Sequence, residues 1–144
     1  MLRRITLRAL LALVPLFTGS AVQAADHPDA SFFVGNYWIV GRDIDTGKPY
    51  TGELDIYQDE GELSLAWTVG EESWTGKAHF EDSELVDGAS GLRIDFKRNG
   101  QEYQGTMLWR TDWDNYARVS GYIYRPGQQT DKPGLEAWFI SPSN

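Results

Sequence analysis

Apolar and polar residues alternate one by one along most of the chain after residue 35. The run from Leu63 to Val69 is a clear example, and the same alternation recurs over 50–56, 73–80, 92–97 and 102–109. A period of two is typical of β-strands that bury one face. No stretch after residue 35 repeats apolar residues every three or four positions for the length of a helix. The sequence therefore predicts an all-β protein.

Turn signals separate the alternating segments. Asn99-Gly100 is the strongest hairpin signal, and weaker ones occur at 45–49, 59–61, 70–72 and 87–88. Further short strands are predicted over 36–41, 84–87, 116–124 and 135–140. Eight or nine strands joined in this way form an antiparallel meander, and closing the meander removes its edge strands. We predict a single up-and-down β-barrel of eight or nine strands over residues 35–140, within a barrel domain of residues 35–144.

The N-terminus has the pattern of a secretory signal peptide. Arg3, Arg4 and Arg8 precede an apolar run over 9–17, and the small-residue pair Val22-x-Ala24 follows. We assign residues 1–24 to the signal peptide and residues 25–34 to a partly ordered N-terminal extension. The mature protein is expected to be periplasmic or secreted. No later apolar run reaches the roughly 20 residues of a membrane-spanning helix, so membrane anchoring is not expected.

Charge and composition exclude several classes of function. Removing residues 1–24 takes away three basic residues and no acid, which changes the net charge from −8 to −11. Such a charge disfavours binding to nucleic acid or to anionic lipid. Charged residues opposite the apolar face also argue against an outer-membrane barrel and predict a soluble one. The chain has no cysteine and only two histidines, so disulfides, thiolate chemistry and three-histidine metal sites are excluded. No cofactor is predicted.

Two short acidic motifs resemble known sites. Asp45-Thr46-Gly47 spells the aspartic-protease signature, but its polar flanks are typical of an exposed hairpin turn. Asp43-x-Asp45-x-Gly47 also matches the start of a calcium-binding loop, but the further oxygen ligands that such a loop needs do not follow. We interpret both as one turn. Asp112, Asp114 and Asn115 offer three oxygen ligands in one loop, and whether they bind calcium stays open at this point.

A five-residue pattern of aromatic, polar, glycine, polar and apolar residues recurs along the chain. It occurs at 50–54, 74–78 and 103–107, with a fainter copy at 119–123. In each copy the glycine falls on the apolar face of its strand. One interpretation is that these glycines allow the strand to bend against its neighbours, and the other is that they keep space for a ligand.

The excess of aromatic residues is the most informative feature of the composition, because several of these residues lie on the apolar side of their strands. An eight-stranded barrel can either be filled by such side chains or hold one small ligand. Both interpretations stay open. If a ligand binds inside, the predicted ligand-binding residues, near one mouth of the barrel, are Trp67, Trp74, Tyr103 and Trp109.

A second aromatic set is predicted to lie outside the barrel. Tyrosine, tryptophan and arginine together are typical of protein-binding hot spots. Trp138 and Ile140 are expected on the same outer surface. The alternative is that Phe32 and Phe33 fold over this set and cover it. The predicted partner-binding residues are Trp113, Tyr116, Arg118, Tyr122 and Tyr124.

The segment Gly35-Asn36-Tyr37-Trp38 resembles the Gly-x-Trp start of lipocalin-like and avidin-like barrels, with tyrosine in place of the tryptophan. The wider order of Tyr50-x-Gly52, Leu65-x-Trp67 and Trp74-x-Gly76 is similar to small exported bacterial β-proteins of uncharacterised function. The calycin-type resemblance implies a binding barrel with its ligand in the open mouth and no cofactor.

These observations favour a binding protein over an enzyme. The predicted function is to bind a small, largely apolar or aromatic ligand inside an exported barrel. The alternative is a protein-interaction or inhibitor module that uses the exposed tyrosine and tryptophan patch. A carboxylate-dependent hydrolase has less support, because no acid lies in apolar sequence that would raise its pKa for general-acid work.

Overall fold

A computed structural model describes residues 29–82, 90–111 and 117–141. One short 3₁₀ helix, Ala30–Phe33, precedes eight strands. The strands are β1 (Gly35–Arg42), β2 (Pro49–Asp59), β3 (Glu62–Val69), β4 (Glu72–Asp82), β5 (Ser90–Arg98), β6 (Gln101–Thr111), β7 (Ala117–Tyr124) and β8 (Gly134–Ile140).

Each strand pairs with the next in antiparallel fashion, and β8 pairs with β1 to close the barrel. The predicted all-β, up-and-down barrel is confirmed, with eight strands. The predicted strand at 84–87, the signal peptide and the calcium candidates Asp112, Asp114 and Asn115 lie outside the described residues. Among the residues that the structure does describe, no helix is long and apolar enough to cross a membrane.

The alternating pattern places one set of side chains inside the barrel, as predicted. Trp67, Trp74, Phe96 and Tyr103 are buried, and Phe80 and Trp109 pack against the same core. The rings of Phe96 and Tyr103 stack with centroids 5.2 Å apart, and those of Trp67 and Trp74 stack at 6.1 Å. Such stacks add to the free energy of burying the rings. The interior is therefore a packed aromatic core.

The N-terminal 3₁₀ helix closes one end of the barrel. Phe33 is fully buried there, with its ring 5.8 Å from Trp109 and 5.7 Å from Phe80. Its backbone carbonyl accepts a hydrogen bond of 2.9 Å from the Tyr37 hydroxyl. Burial raises the pKa of Tyr37 to about 12, so the phenol remains a donor. We call this the closed end of the barrel.

Two expectations about the outer surface are wrong. Phe32 and Phe33 pack with Trp109 at the closed end and do not cover the outer tyrosines. Trp138 is fully buried, and Ile140 packs against the core rather than on the outer surface. The reason is register: on β8 the inward positions are 134, 136, 138 and 140, and a shift of one residue moves a side chain to the other face.

The repeated glycines allow close approach between neighbouring strands. A Cβ atom on Gly76 would lie 2.6 Å from the Asp95 carbonyl oxygen, and one on Gly105 would lie 2.6 Å from the Ile94 side chain. At Gly121 it would lie 2.7 Å from the Met107 Cα. Neighbouring atoms already fill the space that a side chain would take. The geometry therefore favours the strand-packing interpretation over space kept for a ligand.

Candidate ligand site at the open end of the barrel

The end of the barrel opposite the 3₁₀ helix carries a cavity of about 750 Å³. We call it the open end. Trp74, Arg98 and Tyr103 point inward from β4, β5 and β6 and form its floor, while Lys48, Glu71 and Glu72 lie around it. The cavity that lies beneath the floor, next to Phe96 and Glu136, holds about 10 Å³, which is room for about one water molecule. A ligand would therefore lie across the open end rather than deep in the barrel.

Arg98 is the central cation of this floor. Its guanidinium carbon lies 5.2 Å from the centre of the Trp74 ring and 5.3 Å from that of Tyr103, which is the range of cation–π attraction. A nitrogen of the same group donates to Asp43 at 2.6 Å. Burial alone would lower the pKa of Arg98, but the bond with Asp43 outweighs it and raises that pKa. Arg98 is thus a fixed positive charge above two aromatic faces.

The β1–β2 connection forms a turn around the Asp43 carboxylate. One oxygen accepts hydrogen bonds from the backbone N–H groups of Asp45, at 3.0 Å, and Thr46, at 2.7 Å. This is an Asx-type turn, and the turn predicted here is confirmed. Burial alone would raise the pKa of Asp43, but the bonds from Thr46 and Arg98 hold it below its usual value. The carboxylate stabilises the turn and also positions Arg98.

Asp45 connects this turn to the opposite side of the open end. Its carboxylate accepts a hydrogen bond of 2.6 Å from the Tyr103 hydroxyl and one of 2.6 Å from Arg125. Burial alone would raise the pKa of Asp45, but these two bonds outweigh it and lower that pKa. The connection between β1 and β2 is therefore held against β6 and against the residue that follows β7.

A buried carboxylate lies below the floor. Glu136 accepts hydrogen bonds from the indole nitrogens of Trp67, at 2.9 Å, and Trp138, at 2.6 Å, and from the Tyr50 hydroxyl. Burial raises the pKa of Glu136, although the three hydrogen bonds act in the opposite direction. Burial also raises the pKa of Tyr50, and the nearby Glu136 carboxylate adds to this effect. Glu136 thus links side chains of three strands, β2, β3 and β8, by hydrogen bonds.

The four predicted ligand-binding residues do not form one group. Trp74 and Tyr103 line the open end, whereas Trp109 lies at the closed end against Phe32 and Phe33. Trp67 stacks against Trp74 but is only 1% exposed. The indole nitrogen of Trp74 is buried without a hydrogen-bond partner in the described structure. Of the four, Trp74 and Tyr103 line the cavity at the open end, where their side chains are 8% and 4% exposed.

The predicted partner-binding set is also divided. The Tyr122 side chain is 57% exposed on the outer surface. The Tyr124 hydroxyl instead accepts a hydrogen bond from Arg93 and lies 3.1 Å from the Thr106 hydroxyl. The backbone of Arg118 pairs with Phe139. Trp113 and Tyr116 lie outside the described residues.

Several residues of the site escaped the sequence analysis, among them Tyr50, Arg98, Arg125 and Glu136. One of them carries a signal in its position. Arg98 continues the inward series of Leu92, Ile94 and Phe96, whereas Glu136 lies on a strand whose inward side the sequence does not reveal. A charge at an inward position that ends or interrupts an apolar series is a usable signal for a polar site at a barrel mouth. Arg125 has no such signal because it follows the last residue of β7.

The part of the chain that the structure describes contains no group of three or more potential metal-ligating side chains. The closed antiparallel eight-stranded barrel is compatible with a calycin-type fold. Comparison of the chain with protein-family models and with curated proteins finds no match.

Proposed function

We propose that this protein binds a small molecule with a flat apolar or aromatic group at the open end of the barrel. The observation that carries the proposal is the pair of aromatic side chains, Trp74 and Tyr103, beneath a cavity of about 750 Å³. Small-molecule sites are concave and of this size, with apolar walls and a few fixed polar groups. Most residues that line this cavity are polar or charged, among them Lys48, Glu71 and Glu72, and Arg98 and the Tyr103 hydroxyl are the polar groups held in its floor.

The hydrogen bonds around the floor support a preformed site. Arg98 and Tyr103 are each held by a carboxylate from the β1–β2 connection, at 2.6 Å in both cases. Side chains held in this way lose little conformational freedom when a ligand arrives, which favours affinity. The ligand would lay its flat group near Trp74 and direct a polar group to the rim. The resemblance to calycin-type barrels is consistent with binding at the open mouth.

The second part of the proposal is that the protein is exported from the cytoplasm. The charged segment with Arg3, Arg4 and Arg8, followed by an apolar run and a small-residue pair, supports delivery to the periplasm or the exterior. The mature protein would then meet its ligand outside the cytoplasm.

The proposal predicts that replacing Trp74 weakens binding and that replacing Trp109 does not. Residues 25–144 would be titrated with indole, naphthalene and benzoate while tryptophan fluorescence is followed. We expect saturable binding of at least one compound and a loss of about fivefold or more in Trp74→Leu, since an aromatic contact of this kind contributes about 1 kcal/mol or more.

Trp109→Leu is the matched control, because it removes another inward tryptophan at the closed end. Both variants would be checked for folding by near-ultraviolet circular dichroism. Equal losses in the two variants would contradict the assignment to the open end. A wild-type protein that shows no saturable change with any compound would contradict the proposal itself.

The alternative of a protein-interaction module is favoured by one observation, the exposure of Tyr122 within a wider apolar surface. A carboxylate-dependent hydrolase has less support. Asp43, Asp45 and Glu136 each accept hydrogen bonds from two or more donors. Carboxylates occupied in this way are poorly placed to transfer protons to a substrate.

A further inference from the structure

Exposed apolar side chains are concentrated on one side of the barrel. We call this side the outer face, meaning the outward surface of β6, β7, β8 and β1. Eight large hydrophobic side chains are exposed among the described residues, and six of them lie on the outer face. They are Trp38, Val40, Leu108, Tyr122, Leu135 and Phe139. Single exposed apolar residues are ordinary, but a contiguous group of this kind marks an interaction surface.

The outer face also differs from the rest of the barrel in charge. Where β6, β7, β8 and β1 pair with one another, none of the described outward side chains is a carboxylate. The other four strands, β2 to β5, carry outward acids, including Glu53, Asp55, Glu81 and Asp95, and Glu53 lies beside Trp38 at the border of the outer face. Two copies of a protein with net negative charge repel each other through their acidic sides. The outer face is where two copies can meet without opposing carboxylates.

Two neighbouring rows of side chains give the outer face its shape. The first, which we call the groove row, runs across the strands through Val40, Ala137, Ser120 and Leu108. Its two central residues are small, and this row and the next together line a cavity of about 690 Å³. The second, which we call the ridge row, runs through Arg42, Leu135, Tyr122 and Thr106. Its two central residues are large, so a groove lies directly beside a ridge.

We propose that two copies of this chain form a dimer through the outer face. A two-fold axis that lies in the interface and runs across the strands, between the two rows, places the ridge row of each copy over the groove row of the other. Leu135 and Tyr122 then pack over Ala137 and Ser120 of the second copy. A two-fold interface needs a surface that is complementary to itself, and adjacent ridge and groove rows meet that need.

The same arrangement separates the positive charges. Arg42 of each copy lies over Val40 of the other copy, so the two arginines do not face each other. The eight strands that the structure describes close on one another, so none of them has a free edge to which a partner could add a strand. Contact through outward side chains is therefore the mode of association that this fold offers, and the proposal does not depend on the ligand site at the open end.

Sedimentation velocity on residues 25–144 at up to about 100 μM tests the proposal, a range that detects micromolar dimers. We expect the mass of a dimer in the wild type. Leu108→Glu places a carboxylate in the groove row and is expected to weaken the dimer at least about tenfold. Tyr57→Glu is the matched control, because Tyr57 is exposed to a similar extent, 46% against 51%, but lies on β2. It should leave the dimer unchanged.

Val40→Glu tests the pairing of the two rows. In the proposed dimer its carboxylate faces Arg42 of the other copy, so this variant should dimerise better than Leu108→Glu at low ionic strength and lose that advantage near 1 M salt. A monomeric wild type would overturn the proposal, and so would a dimer that Leu108→Glu leaves intact. If Val40→Glu and Leu108→Glu dimerise equally well at low salt, the proposed two-fold axis is wrong. Each variant's melting temperature would show that it is folded.

Discussion

Replacing Glu136 with alanine is expected to lower the free energy of unfolding by about 3–5 kcal/mol, which is the cost of leaving buried polar partners unpaired. The substitution removes the acceptor for the indole nitrogens of Trp67 and Trp138 and for the Tyr50 hydroxyl. None of these donors has another acceptor among the described hydrogen bonds of the barrel. Urea unfolding followed by tryptophan fluorescence measures the loss.

Glu136→Gln is the matched variant, because it keeps an acceptor oxygen and removes the titrating group. Burial raises the folded-state pKa of Glu136 above its ordinary 4.5, so the folded protein holds this proton more tightly than the unfolded chain. The stabilisation is complete below that ordinary pKa and is lost as pH rises through the folded-state pKa. We therefore expect the wild type to lose stability relative to Glu136→Gln as the pH rises from the ordinary 4.5 through the raised folded-state pKa of Glu136.

The carboxylates of Asp43 and Asp45 contribute in the opposite direction. Their folded-state pKa values are lowered, so their contribution is present above the ordinary 3.8 and is lost as pH falls through the folded-state values. Both proteins in the comparison keep these groups, so the difference between them isolates Glu136. Parallel stability curves for wild type and Glu136→Gln would contradict this account, as would an alanine variant as stable as the wild type.

Gly121→Ala is expected to destabilise the barrel by about 3 kcal/mol or more, because overpacking against backbone forces strands apart. The added methyl group would meet the Thr106 carbonyl oxygen and the Met107 Cα atom of β6. Backbone atoms of a paired strand cannot turn aside as a flexible side chain does. Thermal and urea unfolding of the purified variant measure the effect.

Gly91→Ala provides the control for this prediction. Gly91 is also a strand glycine, but a Cβ atom there would lie 3.6 Å from the Glu81 carbonyl oxygen, an ordinary contact. We expect a change of no more than about 1 kcal/mol, as for strand substitutions that cause no clash. If both alanine variants unfold at the same urea concentration, close strand approach is not the reason for glycine at position 121.

The fold was predictable because strand alternation is a local property of the sequence. The run from Leu63 to Val69 defines a buried and an exposed face without reference to any other strand, and Asn99-Gly100 marks a hairpin on its own. A series of such hairpins leaves few topologies, and closure follows from the need to pair the two end strands. The inward positions of Trp67, Trp74, Tyr103 and Trp109 were predictable for the same reason.

The site was less predictable because it depends on contacts between distant parts of the chain. Trp67 and Glu136 are 69 positions apart, and Asp45 and Arg125 are 80 apart. The alternation along β5 places Arg98 inward, but it shows that Glu136 points inward only once the inward side of β8 is known. On β8 the sequence Trp138-Phe139 is apolar at both positions, so its pattern does not reveal which ring is inside. The alternation of inward and outward residues along one strand also does not show that Trp74 and Trp109 lie at opposite ends of the barrel.

The central claim is that a ligand binds against Trp74 at the open end of the barrel. Two-dimensional ¹H–¹⁵N spectra test it directly, because each indole N–H gives its own signal and single substitutions assign the signals. On titration with a compound that the fluorescence assay identifies, the account predicts that the Trp74 signal moves saturably while the signals of Trp109 and Trp138 stay within the line width. A Trp109 signal that moves while the Trp74 signal does not would contradict the claim.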